Sequence, residues 1–169
     1  MHAIDVRDLV EHPGTARTVR VEEVVAGLAT ELAEVPAGAP LRGELVLQSV
    51  VEGIYVTGHV GGRMAFRCAR CLAAFERPFD VTVGDLFARD PGPEDDYVLG
   101  PDLLLDPEPI IRDAVILSMP FSPLCRPDCL GLCERCGGDR NLGECSCPEP
   151  TDPRWAPLAG LDLPEIPET

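Results

Sequence analysis

The sequence has no lysine, since all fourteen of its basic residues are arginine. Codon bias in a GC-rich genome accounts for this, and no function follows from it, although the two side chains are not interchangeable. Positive charge is scarce altogether: 29 acidic residues leave a formal net charge of −15. Such a chain is repelled by phosphate backbones and anionic lipid, which disfavours broad nucleic-acid or membrane-surface binding. No apolar run reaches the roughly 18–20 residues a membrane-spanning helix needs. The opening MHAIDVRDLVEHPG carries acids where a secretory signal has a basic region, so a cytoplasmic protein is expected. Histidine is scarce and scattered, at His2, His12 and His59, and His59 reads as a surface or structural residue rather than a ligand. There is no glycine-rich phosphate loop, and no Ser or Cys beside a His in a nucleophile motif. The expectation is a protein without catalytic residues, membrane association or a small-molecule substrate.

What is present fits one domain of ordinary size with ragged extensions. The 169 residues are 45 % hydrophobic but only 5 % aromatic, and 18 Pro with 16 Gly imply many turns. Residues 1–40 read as mixed: an apolar run from Ile4 to Val10, a turn at His12-Pro13-Gly14, then Val19 to Leu32 without a clean period. From Leu41 the pattern sharpens. LRGELVLQSVV, IYVTGHV, RMAFRC and FERPFDVTV are period-two runs separated at Glu52-Gly53, Gly61-Gly62 and the segment ending at Cys71, which predicts an antiparallel meander. In the last run Phe75, Phe79, Val81 and Val83 alternate with Glu76, Asp80 and Thr82, predicting one buried and one wet face. Pro78 places that run at an edge or a bulge. DPEPIIRDAVILSM predicts a helix capped by Asp106, entered at Pro107, stopped by Pro120 and apolar along Ile110, Ala114 and Leu117. The fold class is thus α+β: an antiparallel β-meander core with one packed helix and a C-terminal cysteine-rich zinc ribbon. The expected organisation is a β-rich core over 1–124 with an exposed acidic loop at 85–106, a cysteine-rich segment over 125–147, and a Pro-rich acidic tail over 148–169. Within that tail Trp155–Leu161 is suited to one docked helical turn.

Eight cysteines carry the chemistry: Cys68 and Cys71 in CARC, then Cys125, Cys129, Cys133, Cys136, Cys145 and Cys147. A reducing cytosol turns clustered cysteines toward metal rather than disulfides. A C-x2-C in a turn aims two sulfurs at one point, and zinc takes four thiolates in a tetrahedron. Eight ligands serve one or two Zn2+ ions in four-thiolate sites. Cys133, Cys136, Cys145 and Cys147 are close enough for a local ribbon, which leaves Cys68 and Cys71 to meet Cys125 and Cys129. The spacing lacks the ferredoxin runs of iron–sulfur proteins. Full four-thiolate sites leave no open position for water, which argues against metal catalysis. Oxidative loss of zinc is chemically open. Arg63, Arg67 and Arg70 beside CARC read as solvated strand-edge residues rather than an RNA-facing patch.

The segments VRDLVEHPGT, LQSVVEGIYVTG, CARCL, IIRDAVILSMP, PLCRPDCLGLCERCGGDRNLGEC and DPRWAPL together resemble the YceD family, over about Val6 to Leu158. The resemblance implies a role in accumulation of large-subunit ribosomal RNA and in large-subunit biogenesis. It implies a ribosomal protein or a precursor particle as partner, leaves direct RNA contact open, and implies no enzymatic activity. It carries the first ligand pairs onto Cys68, Cys71, Cys125 and Cys129, while Cys133 to Cys147 looks like an elaboration of some branches. Glu134 and Arg140 depart from the family's less charged ribbon, which puts no ligand in doubt. Two other functions stand beside this one, a redox-responsive zinc protein and a zinc-ribbon adaptor to another protein machine.

Overall fold

The computed structural model describes residues 2–143, 145–147 and 154. Its elements, in chain order, are β1 (Ile4–Asp5), α1 (Arg7–Val10), β2 (Ala16–Glu23), β3 (Ala33–Glu34), β4 (Leu41–Ser49), β5 (Gly53–Arg67), β6 (Ala74–Ala88), β7 (Leu104–Leu105) and α2 (Glu108–Ser118), followed by a 3-10 turn at Arg140–Leu142. The architecture is the expected mixture of antiparallel sheet and one main helix. The chain divides into two compact units, residues 1–129 and 130–169. The stretch suited to a docked turn, Trp155–Leu161, lies outside the described residues, as does the tail from 148 onward apart from Arg154.

The frame of the first unit is β5, a fifteen-residue strand. β6 pairs with it along its whole length, from Gly53↔Ala88 to Arg67↔Ala74. The other edge is therefore shared, by β4 opposite Ile54–Gly61 and by the short β3 opposite Ala65 and Phe66. β2 closes the order by pairing with β4 along all eight of its residues. This corrects two expectations. Val19 belongs to a regular strand, whose alternation ends only at Glu23. Gly61-Gly62 is no turn, for β5 runs straight through it. The glycines are there for proximity: a Cβ on Gly61 would lie 2.5 Å from the Phe79 carbonyl oxygen, and one on Gly62 3.3 Å from Leu41.

Alternation sorts the faces. Ile54, Val56, Val60 and Met64 of β5 point inward with Leu41, Leu45 and Leu47 of β4 and Val81, Val83 and Phe87 of β6, all buried. Phe75 and Phe79 join the same face half-buried, as the β6 pattern predicts, and Pro78 sits on the outermost strand where its missing N–H disturbs no further ladder. The outward face is laced by cross-strand pairs: Arg42 with Glu22 at 3.0 Å, Arg20 with Glu44 at 3.3 Å, and His59 with Asp80 at 3.0 Å. His59 is thus a surface residue.

The helix α2 covers the inner face against β6. Asp106 accepts from the Glu108 N–H at 3.0 Å, and the helix ends at Met119. Its buried stripe is Ile110, Ile111, Val115 and Met119. This overturns the expected face, because Leu117 is 84 % exposed. Apolar residues surround this helix on most sides, so periodicity alone cannot choose which of them turns inward. The acidic loop also differs in extent. Residues 85–88 continue β6 and 104–105 form β7, which pairs with β1. Between them Asp90, Glu94, Asp95 and Asp96 are exposed, but Tyr97 and Leu99 bond Ala88 through the backbone and Leu99 is buried.

Candidate metal centres

The first cysteine tetrad grows out of the β5–β6 hairpin. β5 ends at Arg67, so Cys68 is the next position on the buried face, and the chain reverses through Leu72, at φ 61°, into β6. The Cys68 N–H donates to the Ala73 carbonyl and the Leu72 N–H to the Cys68 carbonyl, a tight knuckle that turns Cys68 and Cys71 to one side. The segment after α2 supplies the other pair. The Ala69 N–H donates to the Pro123 carbonyl at 2.8 Å, bringing Cys125 and Cys129 across. Sγ of Cys68 lies 3.8 Å from that of Cys129, and Sγ of Cys71 lies 3.7 Å from that of Cys125.

The second tetrad lies in the second unit. The Cys133 N–H donates to the Gly138 carbonyl and the Gly137 N–H to the Cys133 carbonyl, a knuckle of the same design that requires φ 73° at Gly137. Among the described residues a β-bridge, Leu132 to Asp139, and the 3-10 turn at Arg140–Leu142 hold it. Asp139 starts that turn by accepting from the Asn141 N–H, and Asn141 Oδ1 accepts from the Leu130 N–H. Gly143 ends the turn at φ 70°, and Cys145 and Cys147 lie with Cys133 and Cys136.

In each tetrad the four sulfurs lie within 4.8 Å of one another. Thiolates held about 2.3 Å from a tetrahedral ion are about 3.8 Å apart, so the spacing is that of ligands to one metal ion. It is far beyond the roughly 2.05 Å of a disulfide, and all eight thiols are free. The structure thus assembles Cys68, Cys71, Cys125 and Cys129 at one point and Cys133, Cys136, Cys145 and Cys147 at another. The surrounding amides favour anionic sulfur. Burial alone would raise the Cys68 thiol, but the N–H groups of Cys71, Cys125 and Arg70 outweigh it and bring Cys68 to about 6. Those of Cys136 and Arg135 bring Cys133 to about 6. Crowding acts the other way on two of their partners: burial and the neighbouring sulfurs push Cys125 up to about 12, and the sulfurs of Cys145, Cys136 and Cys133 do the same to Cys147. Sulfurs packed this closely repel one another as anions, and a cation at their centre would offset that repulsion.

Two arginines that spacing rules do not flag complete the first site. Arg77, on β6, donates to the carbonyls of Leu124 and Cys125 at 2.8 and 3.0 Å. Its guanidinium lies 4.9 Å above the Phe75 ring, itself stacked on Phe66. Arg70 donates to the Cys129 carbonyl at 2.8 Å. Both side chains of the hairpin therefore hold the incoming segment through its backbone. Arg63, Arg67 and Arg70 are all exposed, as expected of solvated residues at a strand edge, and Arg63 pairs with Glu76 at 3.1 Å. Among the described residues no helix is long and apolar enough to cross a membrane.

The comparisons with known proteins point one way. The family model for the large ribosomal RNA subunit accumulation protein YceD matches residues 56–162, a span that contains both tetrads. An uncharacterized protein of Mycobacterium tuberculosis and another of Mycobacterium bovis are each 37 % identical over 171 residues, covering 96 % of this chain and 82 % of the relative. One of Mycobacterium leprae is 33 % identical over 174 residues, covering 98 % and 79 %. No solved structure matches.

Proposed function

The chain belongs to the YceD family of large ribosomal RNA subunit accumulation proteins, and from that premise we propose that it is a non-enzymatic cytoplasmic factor supporting large-subunit ribosomal RNA accumulation and large-subunit biogenesis. The family match is the observation that carries this reading. Zinc is the ion proposed for both tetrads, because all-sulfur tetrahedral sites in a reducing compartment suit it and serve structure rather than chemistry. Binding of structural zinc is worth about 10–16 kcal/mol in peptides, comparable to the whole stability of a small domain. The first ion would link a hairpin to a segment 54 residues away, between Cys71 and Cys125. Full thiolate coordination leaves no position for an activated water, which supports a role in binding.

The partner proposed is a basic ribosomal protein or a precursor particle. Its attraction follows from the −15 charge, which two filled sites take to about −19 as each tetrad adds about two negative charges. The test is a sucrose-gradient profile of ribosomal subunits, with large-subunit RNA quantified, in cells depleted of the protein and rescued by wild type or by Cys68→Ser. A large-subunit deficit restored by wild type alone is expected; an unchanged subunit ratio on depletion refutes the reading. Redox response is a second reading, favoured by the exposed Cys136. Mild peroxide would then release metal from the Cys133–Cys147 tetrad first, and retention of both ions refutes it.

A further inference from the structure

The C-terminal end of α2 carries apolar surface that neither the fold nor the metal centres use. Phe121 is fully exposed and Leu117 is 84 % exposed. The other four phenylalanines are engaged: Phe66 stacks on Phe75, Phe87 packs on Tyr97, and Phe79 lies against the core. A single exposed leucine is ordinary, but these two side chains rim a groove of about 440 Å³ floored by Leu32, Ile116, Met119 and Pro120. Its walls are well fixed. Met119 is buried, its N–H bonds the Ile116 carbonyl, and Ser118 Oγ donates to the Val115 carbonyl at 2.7 Å. The apolar anchors are therefore presented by the capped end of a packed helix.

Charge selects the occupant. Glu31 lines the groove and Glu34 follows it, both exposed. Asp113, four residues before Leu117 and so on the same helical face, is exposed as well. The one cation on α2, Arg112, is held by Glu108 at 2.7 Å. A second copy of the chain would bring another −15 to an already acidic rim and be repelled. We propose that this groove binds a basic amphipathic segment of a partner protein, whose apolar side chains seat between Leu117 and Phe121 while its cations face Glu31 and Asp113. The mode is an anchored peptide in a groove, with acidic complementarity giving attraction and orientation. It deepens the proposed function, resting on the reading that the partner is a basic protein.

The test measures fluorescence anisotropy of a labelled amphipathic peptide of alternating Leu and Lys pairs, about sixteen residues long, against the full metal-loaded chain. Variants are Leu117→Ser with Phe121→Ser, and Glu31→Arg. Saturable binding is expected, weakened tenfold or more by the double variant and severalfold by Glu31→Arg, with a shallower salt dependence in the latter. A matching Leu and Glu peptide is expected not to bind. Equal affinity of wild type and double variant would show nonspecific attraction to an acidic surface and overturn the proposal. A several-degree fall in the melting temperature of the free double variant would show the groove already covered within the chain, and self-association of wild type lost in the variant would assign it to a second copy; each overturns it. The cellular profile separates this failure from that of the function: if depletion lowers large subunits and the double variant restores them fully, the groove is dispensable while the function stands.

Discussion

At the residue scale, two glycines show how similar letters serve different physics. Gly61 is required by close approach, because a Cβ there meets the Phe79 backbone. A Cβ on Gly137 would meet nothing within 4 Å, yet the φ of 73° at this residue lies in the left-handed region. Gly137→Ala is therefore a pure backbone cost of about 1–2 kcal/mol. Since this residue turns Cys136 toward Cys133, the cost should appear as about a tenfold weaker metal affinity of the second tetrad in a chelator competition, with the first tetrad unchanged. Arg77 makes a complementary case. Its guanidinium grips two carbonyls of the segment that delivers Cys125, and each such charge-assisted bond is worth about 1.5–3 kcal/mol. Arg77→Gln should speed metal loss from the first tetrad to a chelator severalfold or more. Arg77→Lys should restore it only in part, because one guanidinium nitrogen bonds both carbonyls while the planar remainder of the group lies over Phe75, a stacking that a compact ammonium does not reproduce. Equal release rates in all three proteins would remove Arg77 from the site.

At the scale of elements, the acidic stretch between β6 and β7 is hydrogen-bonded to α2 through Tyr97. Tyr97 donates to Asp113 at 2.7 Å and packs against Phe87. Burial, then the Asp113 carboxylate, push the Tyr97 hydroxyl up to about 12 from its ordinary value near 10. A proton held more tightly in the folded chain stabilises it fully below pH 10, and that contribution fades as pH rises toward 12. Tyr97→Phe should be less stable to unfolding than wild type at neutral pH by about 1 kcal/mol, and the gap should close between pH 10 and 12. A gap constant with pH would show the hydroxyl to be immaterial. None of this contact was legible in the sequence, which shows only an acidic, proline-containing run. The paired strands were legible because Phe75, Phe79, Val81 and Val83 alternate on a half-buried strand. The inward face of α2 was not, because Ile110, Ile111, Ala114, Val115, Ile116, Leu117 and Met119 offer several stripes of equal hydrophobicity and only the sheet selects one. The second cysteine grouping was legible because short spacing brings its sulfurs together, and the first followed by leaving Cys68 and Cys71 to meet Cys125 and Cys129 across 54 residues. Arg70 and Arg77 were not, since a guanidinium that seeks backbone carbonyls leaves no pattern among side chains.

At the scale of the whole molecule, the two tetrads predict unequal consequences of equal chemistry. Cys68 and Cys129 are buried, at 0 % and 1 % exposure, and their tetrad ties the β5–β6 hairpin to the segment following α2 within the first unit. Cys145 belongs to a tetrad whose four members come from fifteen consecutive positions, 133–147, so it joins no segments distant in sequence. Removing one thiolate opens a four-ligand site and forfeits most of the ion's contribution. Cys68→Ser and Cys129→Ser should therefore each lose one bound ion and lower the main thermal transition by at least several degrees, given that about 1 kcal/mol moves a domain of this size by roughly 2–8 °C. Cys145→Ser should also lose one ion but leave the main transition within about 2 °C of wild type, with the loss confined to residues 130–147. Metal counts by elemental analysis and melts followed by far-ultraviolet dichroism read both quantities. Equal thermal losses in all three variants would mean that the tetrads stabilise a single cooperative structure, and loss of both ions from any one variant would mean that the eight thiolates do not act as two separate sites.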